Sequence, residues 1–587
     1  MLRQSPMKHR LQTGATAQSV FGNQTGATAQ KLRRHQRDGF LLLVVLVMIV
    51  LLALLAAGYT FMVRSHVDTI HARVRRFKAR MAAEAGMQHA VVLLRYQQGE
   101  LDAWFNDPEN LRAVPMVGVG EDAGVQALEN TDDVRTYDPT ADEVFRYHLI
   151  APDTDDPDTV RYGFTDECAR LDINTATEDQ LRTLFTEVIP TSTDFDVDIN
   201  DLVASLLDWR EGGNSPRPGG AKDEYYQTLR PPYRGKKAPF STVEELLLVK
   251  GFNGWVLYGE DYNRNGLLEP NEDDGDESFP PDNADGILFQ GVERYLTIWA
   301  QDSNTSADNR PRIFLNNQDL ERLEEQLTEE FDGDIVSYIM NVRGGGTQFN
   351  SVMNLLPAPP PPEADEDDQQ QDDIPGNDET PPATQQSGDG DGGDGENQNS
   401  EDSDDDSSDQ GQNGAGSENT PTNVPPTYVN LTEEEPPGTY EDLPQILDRL
   451  TVQQLPFTQG RINVSTAAPA VLATIPNLTD AEVNSIVEAR QQVPLAERSS
   501  AAWLLTSNAI DENRFRQILD SITTKGSMYR IESLGYADNL GVVERLMVVI
   551  QMRGPIPQVI YYRNLNELGP AYTPHGDERR DLAGRSD

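Results

Sequence analysis

Twenty-four consecutive residues, Phe40 to Val63, carry no charged side chain. A helix of that length reaches across the roughly 30 Å hydrocarbon core of a bilayer, whereas a helix buried in a soluble core would show a polar face over the same span. The sequence therefore implies a membrane anchor. Arg3, Lys8, Arg10, Lys31, Arg33, Arg34 and Arg37 precede the run against Asp38 alone, a net charge of +6 that favours a cytoplasmic N-terminus. Arg64, Arg73, Arg75, Arg76, Lys78 and Arg80 make the far flank cationic as well, so charge by itself orients the helix only weakly.

The basic leader, Gly39 and then Phe40 opening an unbroken apolar helix resemble the signature of type IV prepilins and type II secretion pseudopilins. That resemblance implies cleavage between Gly39 and Phe40 by a prepilin peptidase and N-methylation of Phe40. An uncleaved signal anchor, or a secretory signal peptide cut near Ala56-Ala57, would explain the same stretch differently. The leader is longer than is usual in the family, and translation starting at Met7 would shorten it. Its Gln12–Gln18 segment recurs as Gln24–Gln30, polar and glycine-bearing, and reads as disordered.

The chain of 587 residues has a net charge of −49. So acidic an exterior repels phosphate backbones and favours divalent cations, which argues against nucleic acid as a partner. Cys168 is the only cysteine, so no internal disulfide can form.

Beyond Val63 a three- and four-residue spacing of Val67, Ile70, Val74, Phe77, Met81, Met87, Val91 and Leu94 predicts an amphipathic continuation of the helix. Strands are expected at Val144–Ile150 and Val160–Asp166. Arg170 to Thr177 then reads as a short strand followed by a helix start, with Thr175 and Glu178 fitting a capping box. The same pattern returns at Arg461–Ala467 and, weakly, at Arg312–Asn317, which suggests duplicated small helical units. Gly291–Ala300 reads as a strand and Leu320–Val342 as two helices broken at Gly333. Glu363 to Glu418 is rich in Asp, Glu, Gln, Ser, Gly and Pro and is expected to be a disordered spacer. Met528–Ser533, Val542–Ile550 and Val559–Tyr562 alternate like an antiparallel meander, with turns at Asp538-Asn539 and Gly554-Pro555.

The sharpest local motif is Asp261 to Glu272. It has the spacing of the twelve-residue calcium loop, with Asp261, Asn263, Asn265, the Leu267 carbonyl and Glu272 as oxygen ligands, Glu269 at the ninth position and Gly266 at the sharp turn. A structural calcium ion is expected there. Asp273, Asp274, Asp276 and Glu277 offer a weaker second cluster. Val471–Leu478, with Ile486 and Arg490, resembles a helix-hairpin-helix, but Asn477 replaces the turn glycine and acidic residues surround it, so it reads as a packing hairpin. No catalytic constellation emerges, and no enzymatic activity is expected.

Leu206–Arg210, Pro218–Ala221, Tyr225-Tyr226, Pro232-Tyr233 and Pro239–Gly251 closely resemble the helical domain of the type II secretion minor pseudopilin K family, general secretion pathway protein K. Physically, Glu244–Val249 reads as a helix with an inward apolar side, ended by Gly251 in the left-handed region. The resemblance implies an α+β fold: a pilin-like long N-terminal helix and antiparallel sheet, with inserted small helical (SAM-like/helix-hairpin-helix-like) domains and a disordered acidic linker. The expected divisions are 1–39 leader, 40–97 helix, 98–170 first sheet part, 171–288 first helical domain, 289–357 strand and helices, 358–436 linker, 437–524 second helical domain, 525–566 strands and 567–587 tail. It also implies a single-pass inner-membrane protein with its bulk in the periplasm, at the tip of a pseudopilus. The implied partners are the I- and J-type minor pseudopilins, the major pseudopilin and the prepilin peptidase. Val44 stands at the fifth mature position, where most pilins have glutamate and K-type proteins resemble this chain in lacking it. A minor pilin of a type IV pilus or DNA-uptake system and a signal-anchored calcium-binding surface protein are the rival readings.

Overall fold

The computed structural model describes residues 34–116, 144–155, 159–190, 197–275, 277, 282–357, 431, 435–537, 541–569 and 571, with side chains from residue 41 onward. The leader up to residue 33, the acidic stretch 363–418 and the turn at Asp538-Asn539 lie outside the described residues. Two compact units divide the chain, Met1–Lys78 and Ala79–Asp587.

The first unit contains the start of a helix, Arg34–Gln97, whose apolar side chains from Leu41 to Val63 are exposed. Its most apolar window has a mean hydropathy of 3.3, enough in length and composition to cross a membrane.

In the second unit, the last turns of that helix lie on an antiparallel sheet. Ala83, Met87, Ala90 and Leu94 pack against Tyr147, Leu149, Ile531, Leu546 and Val548. Small residues let the backbones come close: a Cβ on Gly535 would stand 2.0 Å from the Ala79 carbonyl oxygen and 2.5 Å from the Ala83 nitrogen. The path across the sheet runs Val114–Pro115, Phe145–Pro152, Met528–Ala537, Val543–Arg553 and Ile556–Asn564, with Val160–Arg161 and Thr165–Asp166 paired at its side. Strands from the two ends of the sequence are thus neighbours, Leu534 opposite His148 and Gly535 opposite Tyr147. Everything between Asp166 and Met528 is inserted into one sheet.

That insertion is built three times on one plan. A two-residue strand opens each unit and pairs in parallel with a two-residue strand that closes it: Leu171-Asp172 with Leu296-Thr297, Ile313-Phe314 with Leu450-Thr451, and Ile462-Asn463 with Ile522-Thr523. In each, the next backbone N–H donates to the closing threonine's carbonyl: Ile173 to Thr297 at 2.9 Å, Leu315 to Thr451 at 2.9 Å and Val464 to Thr523 at 3.0 Å. A polar side chain two residues into the turn then grips a distant loop. Asn174 exchanges two hydrogen bonds with the Phe240 backbone (2.7 and 3.1 Å), Asn316 two with Phe349 (both 2.8 Å), and Ser465 Oγ donates to the Arg498 carbonyl at 2.7 Å. The gripped loops share a sequence pattern that ends in two leucines: Phe240–Leu247, Phe349–Leu356 and Arg498–Leu505. The weak copy at Arg312–Asn317 is therefore a full structural unit. Its α-helices among the described residues are Leu320–Glu330, Gly333–Gly344 and Leu443–Arg449, and its closing strand follows the acidic stretch, which lies within this unit in sequence and not between two of them. The first and third units share one core, to which Met353, Leu356 and Leu443 of the middle unit contribute, and the rest of the middle unit packs around a second core.

Several local expectations shift. The capping box forms at Thr177 with Gln180, two residues later than Thr175 with Glu178, because Thr175 is taken into the turn by its N–H bond to the Asp172 carbonyl. Glu178 instead pairs with Arg182 at 2.6 Å. Gly291–Ala300 is mostly not a strand: Gly291 takes φ +68°, Glu293–Tyr295 forms a 3-10 turn, and only Leu296-Thr297 pairs. The segment at Glu244–Val249 is a 3-10 helix, Val243–Leu248, which buries Val243 and Leu246 and leaves Leu247 and Leu248 exposed; Gly251 follows with φ +89°.

Candidate functional site

The Asp261–Glu272 loop folds around its own acidic side chains. Asp261 accepts from the N–H groups of Asn265 (3.0 Å) and Gly266 (2.8 Å), and Glu272 from those of Tyr262 (3.0 Å) and Glu269 (3.1 Å). Gly266 sits at φ +75°, a conformation that costs a side-chain-bearing residue strain and glycine almost none. Asn263 and Asn265 turn their amide nitrogens to Glu269, at 3.1 and 3.2 Å. The loop leaves through a single 3-10 turn, Pro270–Glu272, and not through an α-helix.

Asp261 and Glu272 are only 4% and 2% exposed, and among the described residues neither lies within ion-pair distance of a lysine or arginine. Burial, reinforced by the neighbouring Asp261 charge, pushes Glu272 up to about 8; burial also raises Asp261. Two buried carboxylates close enough to repel each other are what a divalent cation would neutralise. Among the described residues no group of three or more His, Cys, Asp or Glu side chains is gathered for a metal. The oxygens a cation would draw on here are two carboxylates, the Leu267 carbonyl and the Asn263 and Asn265 amide oxygens, which accept from the N–H groups of Asn265 at 3.0 Å and Leu267 at 2.7 Å. The weaker second cluster is not assembled in the same way. Asp273 accepts from Gly286 N, Asp274 N–H donates to Asp282, and Asp276 lies outside the described residues.

The loop is fastened to the sheet and to the first helical unit. Arg545, on the Val543–Arg553 strand, is 2% exposed and donates to the carbonyls of Asn263 and Arg264. It is also ion-paired with Glu532. Asn265 Nδ2 donates to the Ala571 carbonyl at 2.6 Å, and Gln290 Nε2 to the Gly266 carbonyl at 3.2 Å. Sequence reading passed over Arg545; the available signal was an arginine inside the apolar alternation of Val543 to Met552, where a buried charge needs dedicated partners.

The hairpin at Val471–Leu478 comprises the short helix Pro469–Leu472, Asn477 at φ +68° and the helix Asp480–Gln492. Arg490 is 1% exposed, donates to the Ala467 carbonyl at 2.7 Å and pairs with Asp155. Its counterpart Arg210 donates to the carbonyls of Ile173 and Ala176 at 2.8 and 2.9 Å. These arginines hold turns of the fold together. Gly39 and Phe40 lie in the helical backbone of Arg34–Gln97, and Val44 is 41% exposed on the same helix.

Residues 169–257 match the family model of the type II secretion system (T2SS), protein K. That segment is similar to protein K of the type II secretion system. The matched segment opens beside the Leu171-Asp172 strand and ends just before the Asp261–Glu272 loop, so it is the helical part of the first of the three inserted units. Among solved structures, the GspK-GspI-GspJ complex from the enterotoxigenic Escherichia coli type 2 secretion system is similar at 8% identity and a TM-score of 0.33, covering 84% of this chain and 99% of that chain. No curated protein matches the sequence.

Proposed function

We propose that the chain is a K-type minor pseudopilin of a type II secretion system, which initiates or caps the periplasmic pseudopilus. The observation that carries this reading is the segment similar to protein K, inserted into an antiparallel sheet that packs on the end of a long, exposed apolar helix. Residues near Leu41–Val63 would hold the chain in the inner membrane, with the bulk in the periplasm. Cleavage after Gly39, methylation of Phe40, and assembly with I- and J-type minor pseudopilins and the major pseudopilin belong to the same reading. Its role is structural, as an assembly component and not a catalyst.

Calcium would be held by Asp261, Asn263, Asn265, the Leu267 carbonyl and Glu272. There it would supply charge neutralisation that fixes the loop between the first helical unit and the Arg545 strand.

Intact mass of the membrane-extracted protein tests the reading. A polypeptide beginning at methylated Phe40 supports it, and Gly39→Leu should leave the precursor uncut. Mature protein beginning near Gly58, or at Met1, would overturn it in favour of a signal peptide or a signal anchor.

A further inference from the structure

Against the Asp261–Glu272 loop lies an arginine-rich cleft of mixed charge, whose lining also includes Asp153, Asp155, Asp261, Glu293 and Glu532. Two contiguous cavities, about 90 and 260 Å3, share Arg170, Gln290 and Arg294 as lining. They lie where the sheet, the end of the first helical unit and the Ala468–Ala470 turn of the third meet. The smaller cavity is also lined by Arg530, Arg545 and Arg563, each of which has a carboxylate partner: Glu167, Glu532 and Glu244.

Arg170 differs from these. It is 7% exposed, its Nη1 is buried without a hydrogen-bond partner, and among the described residues no carboxylate lies within ion-pair distance of its guanidinium. Arg294 shares the wall and donates to a neutral group, the Asp153 carbonyl at 2.9 Å, with no carboxylate at ion-pair distance among the described residues. Gln290 faces the same wall, but its Nε2 is taken by the Gly266 carbonyl at 3.2 Å. Burial lowers Arg170 to about 10, the direction expected where the charge is desolvated more than it is compensated. A buried charge is tolerated only when paired, and an unmet buried donor costs about 1–3 kcal/mol. Guanidinium groups suit oxyanions in particular, since their planar donors match two oxygens at once.

We propose that the Arg170–Arg294 cleft binds a small oxyanion, so that the first helical unit, the third unit and the sheet are joined through a bound anion as well as through direct contacts. The smaller cavity shares Asp261 and Asn265 with the candidate cation loop, and the anion is assigned to the Arg170–Arg294 side, away from that wall.

The test uses the full-length chain in detergent, with inorganic sulfate and acetate as probes against chloride at matched ionic strength, followed by thermal unfolding and titration calorimetry. Sulfate at millimolar concentration should raise the melting temperature by about 2 °C, as expected for a ligand that binds only the folded state. Arg170→Met should lose that shift, measured against the variant's own melting temperature in chloride, because Arg170 also offsets the buried charges of Glu167 and Glu293. Arg563→Met, whose arginine is already paired with Glu244, should keep the shift. A response to acetate as well as sulfate assigns the site to carboxylates too, and a response to sulfate alone assigns it to tetrahedral oxyanions; either supports the proposal. No shift beyond chloride with either probe, or an equal shift in Arg170→Met, overturns it.

Discussion

Arg545 Nη2 donates to the carbonyl oxygen of Arg264 at 2.8 Å, which ties a central strand of the sheet to the turn of a loop 281 residues earlier in the chain. The neighbouring Nη1 holds the Asn263 carbonyl, and Nε faces Glu532. One buried side chain therefore connects the candidate cation site to the part of the molecule that packs on the long helix. Arg545→Met should destabilise the protein by about 3 kcal/mol, because it leaves Glu532 and two carbonyls without their donor. Urea denaturation with and without calcium checks this: the variant should lose stability and also bind calcium more weakly. Unchanged calcium affinity would mean that the loop is held independently of the sheet.

Calcium itself should raise the melting temperature of the full-length chain, and Asp261→Ala with Glu272→Gln should abolish the rise. An unchanged calcium response in that double variant would place the ion elsewhere.

His148 gives a pH dependence of known sign. Its Nδ1 accepts from the Ala113 N–H at 2.9 Å, its ring stacks on Tyr536 at 4.8 Å, and it is 4% exposed in the sheet. Burial, with Arg112 and Arg146 adding positive charge, lowers it to about 3. The folded pKa lies below the unfolded value near 6.5, so the native state prefers neutral histidine. Its contribution is whole above about pH 6.5 and is lost as pH falls toward 3. Equilibrium unfolding at stepped pH should show that slope for the wild type and a shallower one for His148→Phe.

The three-unit plan predicts local, separable effects. Asn174→Ala and Asn316→Ala each remove two hydrogen bonds to a loop backbone and should cost about 1–3 kcal/mol. Hydrogen exchange should loosen around Phe240 in the first variant and around Phe349 in the second. Loosening at both sites in either variant would contradict independent units.

The turn of the Asp261–Glu272 loop could be read from sequence because it is local: Gly266 marks the bend and takes φ +75°. The first and third units were visible for a similar reason. Asp172 and Asn463 each accept the N–H two residues on, from Asn174 and Ser465, so the turn is written in the side chains. The middle unit puts Phe314 at that position, and its closing strand at Leu450-Thr451 lies beyond the acidic stretch, so only the tertiary pairing reveals it as an equal member. Its place inside an apolar alternation marks Arg545 as a buried charge, but not its partners, since Asn263 and Arg264 lie more than 280 residues earlier. The expected strand Val160–Asp166 is two separate pieces, Val160–Arg161 paired with Phe145–Pro152 and Thr165–Asp166 paired with Met528–Ala537, whereas Val543–Arg553 and Ile556–Asn564 extend further than their apolar alternation suggested because each is paired along its length.

Position in the filament is the centre of the proposed function, and Val44 bears on it directly. A glutamate there would bring a carboxylate into the membrane helix, which is costly unless a neighbouring subunit's ammonium pairs with it. A subunit with no neighbour above it has no need of that contact, so Val44→Glu should fail to improve assembly. Quantitative labelling of isolated pseudopili is the decisive measurement. The account predicts a few copies confined to one end, and signal spread along the shaft in major-subunit amounts would contradict it.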